Sequence, residues 1–191
     1  MSRSTGQAST LQRSIAPGDL PTAALLRRYV DTGGYTDCYF TEIAARVSHA
    51  EYIEAFYTTA IFRLERLILK WAVSKPSTDE DVRRLARGEL EVFAAWSVEG
   101  RAPDQLLLCD YMQRTHSWLM VAPLDSRGGG QSGGTRLYFG TAVVPTRNRS
   151  AKQRLGSPYD EMLGFHKLYS KILLSAARSR LVRRHRTGRH A

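Results

Sequence analysis

Three stretches decide the fold: QLLLCDY (Gln105–Tyr111), THSWLMVA (Thr115–Ala122) and TRLYFGTAVV (Thr135–Val144). Each is short, rich in aromatic, Val and Leu residues, and bounded by turn-forming residues, the signature of β-strands. Val92–Val98 has the same character. Turn signals separate the four at Gly100–Asp104, at Met112–Arg114, and in the Gly/Ser-rich stretch Asp125–Gly134. Four strands joined by such short links predict an antiparallel meander.

Outward from the meander, Tyr35–Ala44 adds a fifth strand, carried by Cys38, Tyr39, Phe40, Thr41 and Ile43. Ser48 with Glu51 has the form of a capping box. The apolar residues behind it, from Ile53 through Phe56, Tyr57, Ala60, Ile61, Leu64, Leu67 and Ile68 to Trp71, keep one helical stripe over about six turns. A second box over Ser77–Glu80 opens a short helix that Gly88 closes. Pro21–Val30 predicts a short helix ended by Thr32-Gly33-Gly34. Ser157-Pro158 starts a last long helix whose apolar positions include Phe165, Tyr169, Ile172, Leu173 and Ala177.

This order predicts an α+β fold: a curved antiparallel sheet wrapped around a long C-terminal helix, with a long and a short helix inserted after the first strand. That is the helix-grip plan, with a cavity between sheet and last helix. With 191 residues the chain makes one domain. The expected organisation is a disordered tail over 1–18, a single domain over 19–177 and a basic tail over 178–191. Residues 1–18 lack the apolar run of a secretory signal, and although Arg- and Ser-rich they lack the apolar face of a transit peptide. The most apolar segment, Ala60–Val73, is interrupted by Arg63, Glu65, Arg66 and Lys70. It falls short of the roughly 20 apolar residues of a membrane span. A cytoplasmic protein is the expectation.

Several blocks together resemble a known group: Phe56–Thr59, Phe93–Trp96, Asp104–Asp110, Arg114–Leu119, Leu137–Pro145 and Gly164–Ser170. The combination, over about residues 35–176, resembles bacterial proteins allied to the START-like, polyketide-cyclase-like helix-grip superfamily. That superfamily holds lipid carriers, hormone receptors, cyclases and hydrolases. The resemblance therefore implies a pocket for an apolar or aromatic molecule and carries no catalytic residue across. Five strands are counted here, where six or seven are usual.

Candidate site residues fall in three groups. Asp110, Arg114 and His116 surround the predicted hairpin, where an acid, a guanidinium and an imidazole can polarise a carbonyl or move a proton. The plainer reading is an ion pair beside a turn plus a strand histidine. Register decides between them. A Met112-Gln113 loop sets Cys109 opposite His116 and Leu107 opposite Trp118, with Asp110 on the other side from His116. A three-residue loop sets Asp110 across from His116. Cys109 with His116 also suggests a nucleophilic pair, but no cysteine-hydrolase signature surrounds it. The second group, Trp96, Trp118, Tyr138, His166 and Tyr169, either lines a ligand pocket or fills the core.

The third group is basic. Residues 147–191 contain 12 basic and 2 acidic residues, whereas 1–146 balance at 16 each, so one region carries the whole net charge of +10. Arg178, Arg180, Arg183, Arg184, Arg186 and Arg189 offer weak contact with nucleic acid or an anionic membrane. The competing reading is a solvated helix end whose cations suit the helix dipole. Two cysteines, without CxxC or a Cys/His cluster in sequence, make a structural zinc site unexpected, and neither a metal nor an organic cofactor is implied. The leading expectation is binding of a small apolar, aromatic or lipid-like ligand. The alternatives are a cyclase- or hydrolase-type enzyme using Asp110, His116 and His166 as acid–base groups, and polyanion binding through the basic region.

Overall fold

The computed structural model describes residues 11, 14–30, 35–64, 77–124, 133–144 and 158–187, with side chains in the last segment from Lys167 onward. Among them, seven strands form one open antiparallel sheet. They are β1 (Ala16–Pro17), β2 (Tyr35–Ile43), β3 (Val92–Phe93), β4 (Trp96–Ala102), β5 (Gln105–Asp110), β6 (Thr115–Pro123) and β7 (Thr135–Val143). Their order is β1-β2-β7-β6-β5-β4-β3. The helices are α1 (His49–Tyr57), α2 (Asp79–Ala86) and α3 (Pro158–Thr187), with a 3-10 helix at Leu25–Tyr29. The expected α+β class, the antiparallel sheet and the C-terminal helix are all present.

Both sheet faces are covered, which is why β5 is buried along nearly its whole length and apolar from Leu106 to Cys109. On one face Leu106, Leu108, Leu119, Leu137 and Phe139 pack with Tyr52, Ile53 and Phe56 of α1. Val82 and Leu85 of α2, and Leu173, Leu174, Ala177 and Leu181 of α3, complete that layer. On the other face Cys38, Leu107, Trp118, Met120, Tyr138 and Ala142 pack under Ala24 and Leu26.

The strand count rises from five to seven for two reasons. Ala16–Pro17, placed by the sequence in a disordered tail, pairs with Tyr39 and Phe40 at the sheet edge, and Gly18 N–H donates to Cys38 O. The predicted strand Val92–Val98 instead turns back on itself, with Phe93 opposite Trp96 and Ala94 at φ 52°. A left-handed alanine carries a steric cost that Gly would avoid, so nothing in the composition announced this turn. The turn expected over Gly100–Asp104 shrinks as well, since β4 runs on to Ala102.

Ser48 and Glu51 form the capping box as read, but α1 stops at Tyr57. The next two residues turn their hydroxyls back: Thr58 Oγ1 donates to Glu54 O at 2.5 Å and Thr59 Oγ1 to Phe56 O at 2.9 Å. Thr59 Oγ1 then accepts from Phe62 N–H at 3.3 Å and starts a new helical segment at residue 60. Local hydroxyl bonding thus breaks a helix that apolar spacing alone would continue. The remainder of the predicted helix, 65–71, lies outside the described residues. The cap of α2 is Thr78 with Asp81, one residue beyond the predicted pair. Gly88, at φ 78°, ends α2 as foreseen: its N–H donates to Leu85 O and that of Glu89 to Arg84 O.

The largest revision concerns the C terminus. α3 continues to Thr187, with Leu181 fully buried, so 178–187 is a packed part of the domain rather than a tail. Among the described residues no helix is long and apolar enough to cross a membrane.

Candidate functional site

A cavity of about 270 Å³ lies between the helix-covered sheet face and α3. Its walls are largely apolar: Phe56 and Phe62 below, Trp96 and Phe139 from the sheet, Tyr169 and Leu173 from α3. Polar groups enter from Asp110, Thr115, Ser117, Thr141 and Ser170. Exposed Tyr111, at the β5–β6 turn, marks its contact with solvent.

Some of these polar groups are already engaged. Asp110 Oδ1 accepts from the backbone N–H of Arg114 at 2.8 Å and of Thr115 at 3.2 Å, so it braces the hairpin turn. Thr141 Oγ1 donates to Asp37 Oδ1 at 2.7 Å. Two others are different. Trp96 Nε1 and Ser170 Oγ are buried without a hydrogen-bond partner among the described residues. Ser170 is only 1% exposed. A buried donor left unpaired costs about 1–3 kcal/mol, which a ligand with a matching polar group would recover.

The hairpin takes the first of the two registers: Cys109 opposite His116 and Leu107 opposite Trp118. Asp110 consequently faces the cavity and His116 the opposite side of the sheet. Arg114 is exposed in the turn. The candidate catalytic grouping of Asp110, Arg114 and His116 is therefore not assembled, and the plainer reading of a turn and a strand histidine holds. The proposed ligand-binding set divides in the same way: Trp96 and Tyr169 line the cavity, while Trp118 and Tyr138 belong to the opposite core. The side chain of His166 lies outside those described.

His116 has its own surroundings. Its Nδ1 is 2.8 Å from Glu99 Oε2, and the Tyr29 ring stacks on it at 3.9 Å. Tyr29 OH also donates to Glu99 Oε1, which Arg28 approaches at 3.2 Å. Cys109 completes the group: ligand atoms of Glu99, Cys109 and His116 all lie within 4.8 Å of one another. Burial, then the charges of Glu99 and Asp110, push the Cys109 thiol up to about 11. Without a further partner it stays protonated, which argues against a ready-made Cys109–His116 nucleophile.

Sequence reading missed Glu99. The ladder shifts register between Val98 and Gly100, so Glu99 is the extra residue of a β-bulge. The bulge turns it toward Cys109 and His116, a common use of such irregularities. Gly100 was the available signal, since a glycine inside a strand marks bulges and close approaches. A Cβ there would come to 3.5 Å from Leu25 and 3.7 Å from Arg28.

The basic residues are partly committed to the fold. Arg180 Nη1 donates to Thr58 O at 3.2 Å, capping the end of α1, and Arg184 pairs with Glu54 at 3.7 Å. His185 lies 3.7 Å from Glu51, and Arg178 is also engaged in an interaction. Arg183 and Arg186 are exposed on the last turns of α3, and Arg189 is outside the described residues.

Compared with protein-family models, curated proteins and solved structures, the chain matches none.

Proposed function

We propose that the cavity under α3 binds a small molecule with an apolar or aromatic body and a polar group at one end. The observation that carries this reading is the pairing of an aromatic-lined space with two buried, unpartnered polar atoms, Trp96 Nε1 and Ser170 Oγ. Trp can only donate, so the ligand carries an acceptor toward Trp96; Ser can donate or accept. Apolar walls with a few convergent polar groups are the usual composition of a ligand site.

The order of elements supports a helix-grip relationship. A long first strand, helices, an antiparallel meander and a final helix laid over the sheet are the parts that plan requires. The seven strands also remove the shortfall counted from sequence. A binding role is favoured over acid–base catalysis because Asp110 and His116 sit on opposite faces. It is favoured over polyanion binding because Arg180 and Arg184 hold α3 to α1.

The test is to extract the purified chain and identify co-purifying small molecules by mass spectrometry, alongside Ser117→Leu. Ser117 is a buried cavity residue of β6, and leucine there fills the space a ligand would occupy. Wild type should release a stoichiometric apolar or aromatic compound and Ser117→Leu should not. Equal yields from both, or none from wild type across lipid and aromatic-acid panels, would defeat the proposal.

A further inference from the structure

We propose that Glu99, Cys109 and His116 form a transition-metal site, suited to Zn²⁺, on the sheet face away from the ligand cavity. The three side chains come from adjacent strands β4, β5 and β6 and present oxygen, sulfur and nitrogen within 4.8 Å of one another. Cys109 and His116 are held by direct register across β5 and β6. Glu99 is delivered by the β4 bulge. Thiolate, imidazole and carboxylate are the donors that Zn²⁺ takes, and three of them leave a fourth position for water or another ligand.

The surroundings suit the ion. Cys109 is 7% exposed and His116 4%, so loss of the metal to solvent is hindered. Glu99 Oε1 is held by Tyr29 OH and Arg28, which leaves Oε2 as the metal-binding oxygen. Such outer hydrogen bonds fix the orientation of a metal-binding carboxylate. Tyr29 stacks over the imidazole and limits its rotation. Without metal, Oε2 and His116 Nδ1 bond to each other at 2.8 Å. Metal entry opens that contact: the imidazole exchanges its Nδ1 proton with solvent and takes the Nε2–H tautomer, the Cys109 thiol proton leaves to solvent, and bonds form to sulfur, nitrogen and oxygen. One thiolate and one carboxylate then balance the dication, with no change of oxidation state. The site is independent of whether the cavity binds a ligand.

Titration of the metal-free full chain with Co²⁺, followed by competition with Zn²⁺, tests this. The expected result is one Co²⁺ per chain with a thiolate-to-cobalt charge-transfer band, displaced by stoichiometric Zn²⁺. Cys109→Ser should abolish the band, and Cys38→Ser should keep it. Glu99→Gln retains hydrogen-bonding capacity toward Tyr29 and should weaken Co²⁺ binding at least tenfold while leaving the far-ultraviolet dichroism unchanged. Absence of the band in wild type at saturating Co²⁺ would overturn the site. So would its loss in Cys38→Ser, or wild-type affinity in Glu99→Gln.

Discussion

The two faces of the sheet handle buried polarity in opposite ways. On the face under the 3-10 helix the buried polar side-chain groups of the described residues have partners, Thr36 Oγ1 excepted. Trp118 Nε1 donates to Gln105 Oε1 at 2.9 Å, and the same oxygen accepts from Leu25 N–H at 2.9 Å. Gln105 Nε2 donates to Ala23 O at 3.0 Å, so one glutamine ties a core tryptophan to the segment that covers it. On the helix-covered face Trp96 Nε1 and Ser170 Oγ, both from residues that line the cavity, lack partners among the described residues. Buried polar atoms are normally satisfied, and unpaired ones gathered around a cavity mark where the fold has kept room for something else. The first face is built to be closed and the second to be filled.

Two tryptophans provide the sharpest contrast. Trp118 is fully buried, and the backbone at Gly140 lies so close that an added Cβ would come within 3.0 Å of its ring. Trp118→Ala should destabilise the chain by about 3–5 kcal/mol, from lost burial, a cavity and the orphaned Gln105. Trp96→Phe, which removes an indole N–H that has no partner, should change stability by less than about 1 kcal/mol. Urea unfolding of the two variants measures both. Equal losses would mean that the faces are packed alike and that Trp96 is an ordinary core residue.

How far the sequence could be read follows the same division. The positions of β2, β5, β6 and β7, the α1 cap, the Gly88 helix end and the Pro158 start were legible because each rests on local chemistry. The Cys109–His116 register was one of two open alternatives, since it depends on whether the Asp110 side chain closes a two-residue or a three-residue loop. The split of residues 92–98 was invisible because Ala94 takes a conformation that its side chain disfavours. The break at Thr58–Thr59 was hidden by an unbroken apolar stripe. Residues 178–187 looked like a solvated tail because their arginines outnumber their apolar residues. Yet Leu181 enters the core, and Arg180 and Arg184 reach across to α1. The cavity itself arises from long-range packing of Phe56, Phe139 and Leu173, which no local pattern encodes.

His49 tests the helix-covered face by pH. It opens α1, and burial, opposed by Asp104 and by a hydrogen bond with the Leu119 backbone, pushes its pKa down to about 4. In the unfolded chain the imidazole titrates near 6.5. Between these values the unfolded state binds the proton and the folded state does not. The stabilisation is therefore complete above about pH 6.5 and drains away as pH falls toward 4. Between pH 7 and pH 4 wild type should lose on the order of 2 kcal/mol more than His49→Gln, read from urea midpoints at each pH. Parallel profiles would place His49 in a solvated environment.

Ser170 gives the smallest effect and the most direct one, because its sign separates the two descriptions of the cavity. If the hydroxyl is held for a ligand, the ligand-free chain carries its desolvation cost unrelieved. Ser170→Ala should then stabilise the stripped protein by up to about 1 kcal/mol, helped by alanine's better helix propensity in α3. The same substitution should weaken retention of whatever wild type co-purifies with, since the bound polar group loses its partner. Differential scanning calorimetry of stripped and loaded samples reads both changes. Destabilisation of the stripped variant would show that Ser170 is bonded within the fold, and the contrast between the two faces would then rest on Trp96 alone.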